Sequence, residues 1–293
     1  MVTVTIDPFA GFCPGVSKAI STADDLVESY PSVYSFGELV HCPEEIDRLE
    51  SQGLKIMTGE DIDKIHDSAI LIRAHGITPR TQYRLEISDN TVIDATCSIV
   101  RRLQQKVKTC SHEMKAVDGQ VIIFGKRKHP EVEGLLGYSA CRTIIVEKAD
   151  DLSDIDFNKP MSVFAQTTSN VCDYESFISH LNQKMDELGI NKQSVQIYNT
   201  ICGSIKVRVP KLKLFAREND VVIIVSGEQS SNGKYLASIL KNENPRSYKV
   251  SSEAELSEDW FTGSATIGIT GAASTPEWLL EKVAAAVENL VNK

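Results

Sequence analysis

Nine short β-rich runs, alternating with segments of helical pattern, constrain the fold of this chain more than any other feature. Each run ends at a chemically notable residue. Three end at a cysteine: "VTVTIDPFAGFC" at Cys13, "NTVIDATC" at Cys97 and "SVQIYNTIC" at Cys202. Six end at small polar motifs. "SVYSFGELVH" ends at His41, "SAILIRAHG" at His75, and "QVIIFGKRKHPE" at His129 and Glu131. "SVFAQTT" ends at Thr167 and Thr168, "DVVIIVSGEQSSN" at Ser230, Ser231 and Asn232, and "ATIGITGAAS" at Ser274. Alternation of this kind predicts an α/β fold with mostly parallel sheets and right-handed crossovers. Ligands in such sheets lie outside the carboxyl ends of the strands, where all nine motifs fall.

The spacing repeats. The second and third motifs follow Cys13 by 28 and 62 residues, Cys97 by 32 and 70, and Cys202 by 28 and 72. Self-similarity with so long a period means repeated domains rather than a solenoid. The expectation is three pseudo-equivalent α/β domains at 1–96, 97–200 and 201–293, with the C-terminal segment able to join the first. Each domain would point one cysteine at a shared centre. Ordinary αβ turn chemistry explains the serines and glycines singly, but not three cysteines and three histidines at matching places.

A length of 293 residues suits two or three domains. The net charge of -9 argues against nucleic acid and anionic membrane as partners. No apolar leader is visible, and the longest apolar runs, such as "VVIIV" at 221–225, are too short to span a bilayer. The expected location is the cytoplasm, where seven cysteines do not form a disulfide framework. There is no CxxC, so a metal site must be assembled from distant parts of the chain.

A cysteine at a helix start feels the positive end of the macrodipole, which favours thiolate, the metal-ligating form. Pro14 suits a first helical position, and Lys18 and Arg101 add positive potential one turn on. Three cysteines fit a structural zinc site poorly, because such a site is closed by four ligands. They fit a [4Fe–4S] cluster better, with one iron left open. Electron-relay clusters use four cysteines, so the missing fourth points to chemistry on the cluster. Cys110, Cys141 and Cys172 end no strand motif and read as structural. Cys42 follows His41 and reads as a small residue before the turn Pro43.

The polar strand ends suit a small anion. His41, His75, His129, Thr168, Ser230, Ser231, Asn232 and Ser274 carry N–H or O–H donors, and with helix N-termini they resemble a phosphate or diphosphate pocket. Glu131, beside His129, is the one carboxyl in a position to act as a general acid. No GxGxxG or Walker sequence is present, so a nucleotide cofactor is not supported.

"GFCPGVSKAI", "RAHG", "DATC", "HPEVEG", "AQTT", "SSN" and "GAAS" occur in one order from Gly11 to about Pro276. In this the chain resembles the 4-hydroxy-3-methylbut-2-enyl diphosphate reductase (LytB/IspH) family. The resemblance implies a trefoil of three α/β domains around an oxygen-sensitive [4Fe–4S] cluster on Cys13, Cys97 and Cys202. It implies diphosphate binding by His41, His75, His129, Thr168, Ser230, Ser231, Asn232 and Ser274. It gives proton delivery to Glu131 and positioning of the substrate hydroxyl to Thr167. The implied reaction removes an allylic hydroxyl as water, ending the methylerythritol phosphate route to isoprenoids, with a ferredoxin or flavodoxin as electron donor. The chain departs from the family pattern at Ile205 and Val209, where a Thr and a Gln are usual, at Ser98, where Pro is usual, and at Cys42, where Asn is usual. A paralogue reducing another substrate at the open iron, or a non-catalytic cluster sensor, are the alternatives these departures leave.

Overall fold

The computed structural model describes residues 2–292. Their twelve strands form three four-stranded sheets, and nine α-helices connect them, among the described residues. Two compact units divide the chain: Met1–Met57 with Gly203–Lys293, and Thr58–Cys202.

The first unit contains β1 (Thr3–Ile6), α1 (Pro14–Ser29), β2 (Val33–Phe36), α2 (Pro43–Ser51) and β3 (Leu54–Met57). The second carries β4 (Ala69–Ile72), α3 (Pro79–Glu86), β5 (Thr91–Asp94), α4 (Ser98–Ala116), β6 (Gln120–Phe124) and α5 (Pro130–Tyr138). It continues with β7 (Arg142–Val146), β8 (Met161–Ala165), α6 (Val171–Leu188) and β9 (Val195–Ile197). The chain then returns to the first unit through α7 (Gly203–Arg217), β10 (Val221–Val225), α8 (Ser231–Glu243), β11 (Ser247–Val250), β12 (Thr266–Gly271) and α9 (Glu277–Val291).

In the first unit one sheet runs β1-β12-β10-β11, all parallel, and β2 pairs with β3. In the second unit β4 pairs with β5, and a parallel sheet runs β7-β6-β8-β9. The central strands β6, β8 and β10 are buried at every position, as parallel strands covered on both faces must be. That is why "QVIIF", "MSVFA" and "VVIIV" read as nearly unbroken apolar runs rather than alternating ones.

The strand before each cysteine lies at a sheet edge beside the strand that ends at a third motif. β1 pairs with β12, β5 with β4, and β9 with β8. The strand leading to Cys13 therefore joins a sheet whose other members come from the C-terminal third. Parallel neighbours require a crossover, and here that crossover spans most of the chain.

Helix α4 shows how pattern becomes packing. Val100, Leu103, Val107, Cys110 and Met114 recur every three or four residues and are all buried. Leu103, Val107, Cys110 and Met114 join Val121, Ile123, Ile145 and Phe164 in one core cluster beneath the helix. Burying each large side chain of this kind contributes about 1.5–3 kcal/mol. Four helices begin on a proline at the first turn, namely α1, α2, α3 and α5, where its missing N–H costs nothing.

Candidate functional site

In the unit Thr58–Cys202, β6 and β8 end side by side. The loop after β6 leads into α5, with His129 as its N-cap and Glu131 in the first turn. The loop after β8 carries Thr167 and Thr168. Glu131 is 1% exposed and buries its carboxyl against Thr167. The Thr167 backbone N–H donates to Oε1 at 2.7 Å, and its hydroxyl donates to Oε2 at 2.6 Å. Burial holds this carboxyl above the ordinary carboxylate range, and the two hydrogen bonds pull it the other way. The carbonyl of the same Thr167 accepts the backbone N–H of Cys202 at 2.9 Å. Glu131, Thr167 and Cys202 thus form one hydrogen-bonded chain.

His129 Nδ1 accepts the Glu131 backbone N–H at 3.2 Å. That bond fixes the neutral tautomer with its proton on Nε2. The rings of His75 and His129 meet edge to face, with centroids 5.2 Å apart. His75 precedes Gly76, whose φ of 70° is left-handed and whose missing side chain leaves room for Gln104. Cys97 caps α4, and its N–H donates to the Ala74 carbonyl beside His75 at 3.0 Å. The second unit therefore brings together Cys97, His75, His129, Glu131, Thr167, Thr168 and Cys202.

Sequence reasoning passed over Gln166, which is 2% exposed. Its Nε2 donates to the Thr168 hydroxyl at 2.7 Å, and its Oε1 accepts the Lys126 N–H at 3.0 Å. It thereby ties the two loops together. The signal was present: an amide at the end of a wholly apolar strand must find partners when buried.

In the first unit Cys13 caps α1, and its N–H donates to the Ala273 carbonyl at 3.3 Å. The Ala273 N–H donates in turn to Asn232 Oδ1 at 2.9 Å. That fixes the amide with its NH2 group available as donor. Ser230 caps α8 by accepting the Gly233 N–H at 3.0 Å, and its hydroxyl lies 3.4 Å from that of Ser274. Ser231 is the first residue of α8. His41 sits in the loop after β2, its carbonyl packed so close to Gly227 that any side chain there would collide with it. This unit thus gathers Cys13, Ser230, Ser231, Asn232 and Ser274 around the start of α8.

The cysteines separate by environment. None of the seven is disulfide-bonded. Cys13, Cys97 and Cys202 are half-buried at helix starts. Neither Cys13 nor Cys97 uses its sulfur to cap its helix. Cys42 also caps a helix, α2, but is 2% exposed. Burial pushes its thiol up to about 12, and nearby Glu44 adds to the effect. Cys110 lies in the core, Cys141 packs against the same cluster, and Cys172 is exposed. Cys13 in the first unit and Cys97 and Cys202 in the second each stand half-buried at the positive end of a helix, where a thiol suits ligation of an iron–sulfur group, whereas Cys42 is held protonated.

Arg208 of α7, half-buried, reaches the buried Asp7, with Nη2 2.5 Å from Oδ2 and 2.6 Å from the Thr270 hydroxyl. This pair spans the unit from its first loop to its last strand. Ile205 is buried beside it, Ser98 starts α4, and Cys42 has the capping role just described.

These features define a parallel α/β protein that presents thiols, imidazoles and a buried acid at its strand ends. Its sequence matches the family model described as LytB protein over residues 4–288. It is 37% identical to the 4-hydroxy-3-methylbut-2-enyl diphosphate reductase of Parabacteroides distasonis, covering 99% of each chain. It is 34% identical to the Aquifex aeolicus protein of that name, over 99% of this chain and 97% of the other. Among solved structures, it superposes on a (E)-4-hydroxy-3-methyl-but-2-enyl diphosphate reductase, described as the terminal enzyme of the non-mevalonate pathway. The TM-score is 0.72 at 32% identity, covering 99% of this chain and 100% of the other. The Plasmodium falciparum reductase aligns with a TM-score of 0.83 at 26% identity, covering 100% of this chain and 88% of the other. The chain belongs to the LytB family, whose members are iron–sulfur oxidoreductases. No described helix is long and apolar enough to cross a membrane.

Proposed function

We propose that this protein reductively dehydroxylates 4-hydroxy-3-methylbut-2-enyl diphosphate to isopentenyl and dimethylallyl diphosphates. Two electrons and two protons enter, the allylic C–O bond breaks, and water leaves. The cytoplasm is the proposed location, and the electrons come from a ferredoxin or flavodoxin. The three repeats at 1–96, 97–200 and 201–293 each contribute one cysteine, and Cys13, Cys97 and Cys202 hold a [4Fe–4S] cluster. When bound, that cluster supplies the electrons, and its one open iron supplies a Lewis-acid site.

The observation that carries this reading is the buried Glu131–Thr167 pair. A carboxyl whose burial raises its pKa holds its proton to higher pH than a free one and is the better suited to give it up as an acid. Glu131 gives that proton to the departing oxygen, so that water rather than hydroxide leaves. Thr167 orients Glu131 through two hydrogen bonds and holds the substrate hydroxyl. His129, with its proton on Nε2, donates to the diphosphate. His41, His75, Thr168, Ser230, Ser231, Asn232 and Ser274 complete the donor set, aided by the start of α8.

Anaerobic purification tests the reading. The expected product carries about four irons per chain and turns over the hydroxymethylbutenyl diphosphate with a reduced viologen. Iron without turnover and without a diphosphate-dependent spectral change would overturn the activity. Cys97→Ala and Cys202→Ala should lose iron and turnover together, whereas Cys172→Ala should lose neither.

A further inference from the structure

Helix α7 carries Lys206, Arg208, Lys211, Lys213 and Arg217 and no acidic residue, in a chain of net charge -9. Three of these cations are matched: Arg208 by Asp7, and Lys213 and Arg217 by Glu243. Lys206 and Lys211 are exposed and take part in no ion pair among the described residues. Between them the same face shows large apolar side chains to solvent. Val207 is 60% and Leu214 58% exposed, two helical turns apart, and Phe9 beside them is 51% exposed. The Lys211 ammonium sits over the Phe9 ring, 3.4 Å from its centroid. Pro210, inside the helix, removes a backbone N–H and so leaves the Lys206 carbonyl without its helical donor.

This patch is continuous with the Cys13 corner. Phe9, Val207 and Lys211 line one cavity of about 280 Å³ together with Cys13 and Arg208. Exposed apolar groups flanked by two unmatched cations, Lys206 and Lys211, have the anatomy of an interface for an acidic protein, with an apolar centre and a charged edge. A patch of this kind beside a proposed cluster ligand has an evident use.

We propose that the Phe9–α7 face is the docking surface for an acidic one-electron carrier protein, which delivers its electrons beside Cys13. The inference rests on the proposed reductase activity, because only an electron-consuming site needs such a partner. Lys206 and Lys211 steer the carrier, and Phe9, Val207 and Leu214 form the desolvated contact. The carrier gives one electron at a time and is itself oxidised, two encounters per turnover. Rim charges act mainly on the association rate and make it sensitive to salt.

The test uses cluster-loaded protein and an acidic plant-type ferredoxin. Binding of the oxidised ferredoxin, which needs no turnover, is measured by calorimetry at low and high salt. Lys206→Glu combined with Lys211→Glu should weaken binding about tenfold and remove most of its salt dependence. Leu214→Glu should weaken it by a similar factor. KM for the reduced ferredoxin should rise in parallel, while turnover with a reduced viologen stays within about twofold of the parent. Thermal melts close to the parent's confirm that these exposed positions were changed without loss of fold. Unchanged ferredoxin binding in both variants overturns the proposal. So does a parent dimer that Leu214→Glu converts to monomers, since a second copy would then own the face. A cluster-loaded parent inert with viologen would instead sink the reductase reading and leave the binding measurement to be judged by itself.

Discussion

In the unit Thr58–Cys202 the candidate groups bond to one another. Glu131 takes both its hydrogen bonds from Thr167, and Thr167 takes the backbone N–H of Cys202. In the other unit the candidate groups bond mainly to the main chain, apart from the long Ser230–Ser274 contact. Asn232 accepts from the Ala273 N–H and Ser230 from the Gly233 N–H. Under the proposed function the difference corresponds to two kinds of chemistry. A proton donor needs a buried carboxyl whose affinity for its proton is set by a few fixed neighbours. An anion pocket needs only donors held in place at a helix start. Changes in the first arrangement should therefore act on kcat, and changes in the second on KM and stability.

The largest effect should come from Glu131→Gln. The amide preserves size and one acceptor but has no proton to give. We expect kcat to fall by about 10²–10⁴-fold with the cluster spectrum intact. The pH profile gives a second readout. Because burial raises the Glu131 pKa, the parent should lose kcat as pH rises through that raised value, above the usual carboxylate range. The same raised pKa makes Glu131 favour folding at low pH, a contribution lost as pH rises through the folded value. The glutamine variant should lack the alkaline limb. A variant that keeps both rate and limb would break the comparison.

Thr167→Val comes next. It removes the hydroxyl donor at 2.6 Å but keeps the backbone donor at 2.7 Å. The lost bond was one that lowered the Glu131 pKa, so its removal should raise that pKa further. The alkaline limb should therefore move to higher pH than in the parent. The rate at the optimum should fall about tenfold as Glu131 loses its orientation.

How far the sequence anticipated these arrangements depends on locality. All nine runs marked by a terminal motif are strands. The three strands that such a reading omits, β3, β7 and β11, lie at sheet edges and end at no such motif. "LKIM" and "SYKV" are also only four residues long, too short to show a period. Pairing was less legible still. That β1 would lie against β12 depends on parallel contacts between the two ends of the chain, which no spacing encodes. The Asp7–Arg208 pair has the same character. The candidate residues the sequence marked all stand where strand and helix meet, because the same turn that exposes a side chain also leaves a sequence signature. Their partners were not legible, since Gln166 and Thr167 act across a sheet on residues some 40 positions away. The separation between Cys42 and the other helix-capping cysteines is also invisible in sequence, because it depends on burial alone.

In the first unit Asn232→Ala should leave kcat within about twofold and raise KM about tenfold, the cost of one donor to a charged ligand. It would also strand the Ala273 N–H beside Cys13. A KM change accompanied by loss of iron would show that this corner serves the cluster as much as the anion.

Ser230 separates structure from binding most finely, and its effect should be the smallest. Its oxygen accepts the Gly233 N–H at the start of α8 while its hydroxyl faces Ser274. Ser230→Ala loses both functions, and the cap alone is worth about 1 kcal/mol. Ser230→Asn restores a cap of equal quality and replaces the hydroxyl by an amide. Denaturant unfolding should therefore show Ser230→Ala destabilised by about 1 kcal/mol and Ser230→Asn close to the parent. If KM rises in both variants, the hydroxyl contributes to anion binding beyond its cap. If KM follows stability alone, Ser230 serves α8 only, and the donors at that helix start reduce to Ser231, Asn232 and the backbone.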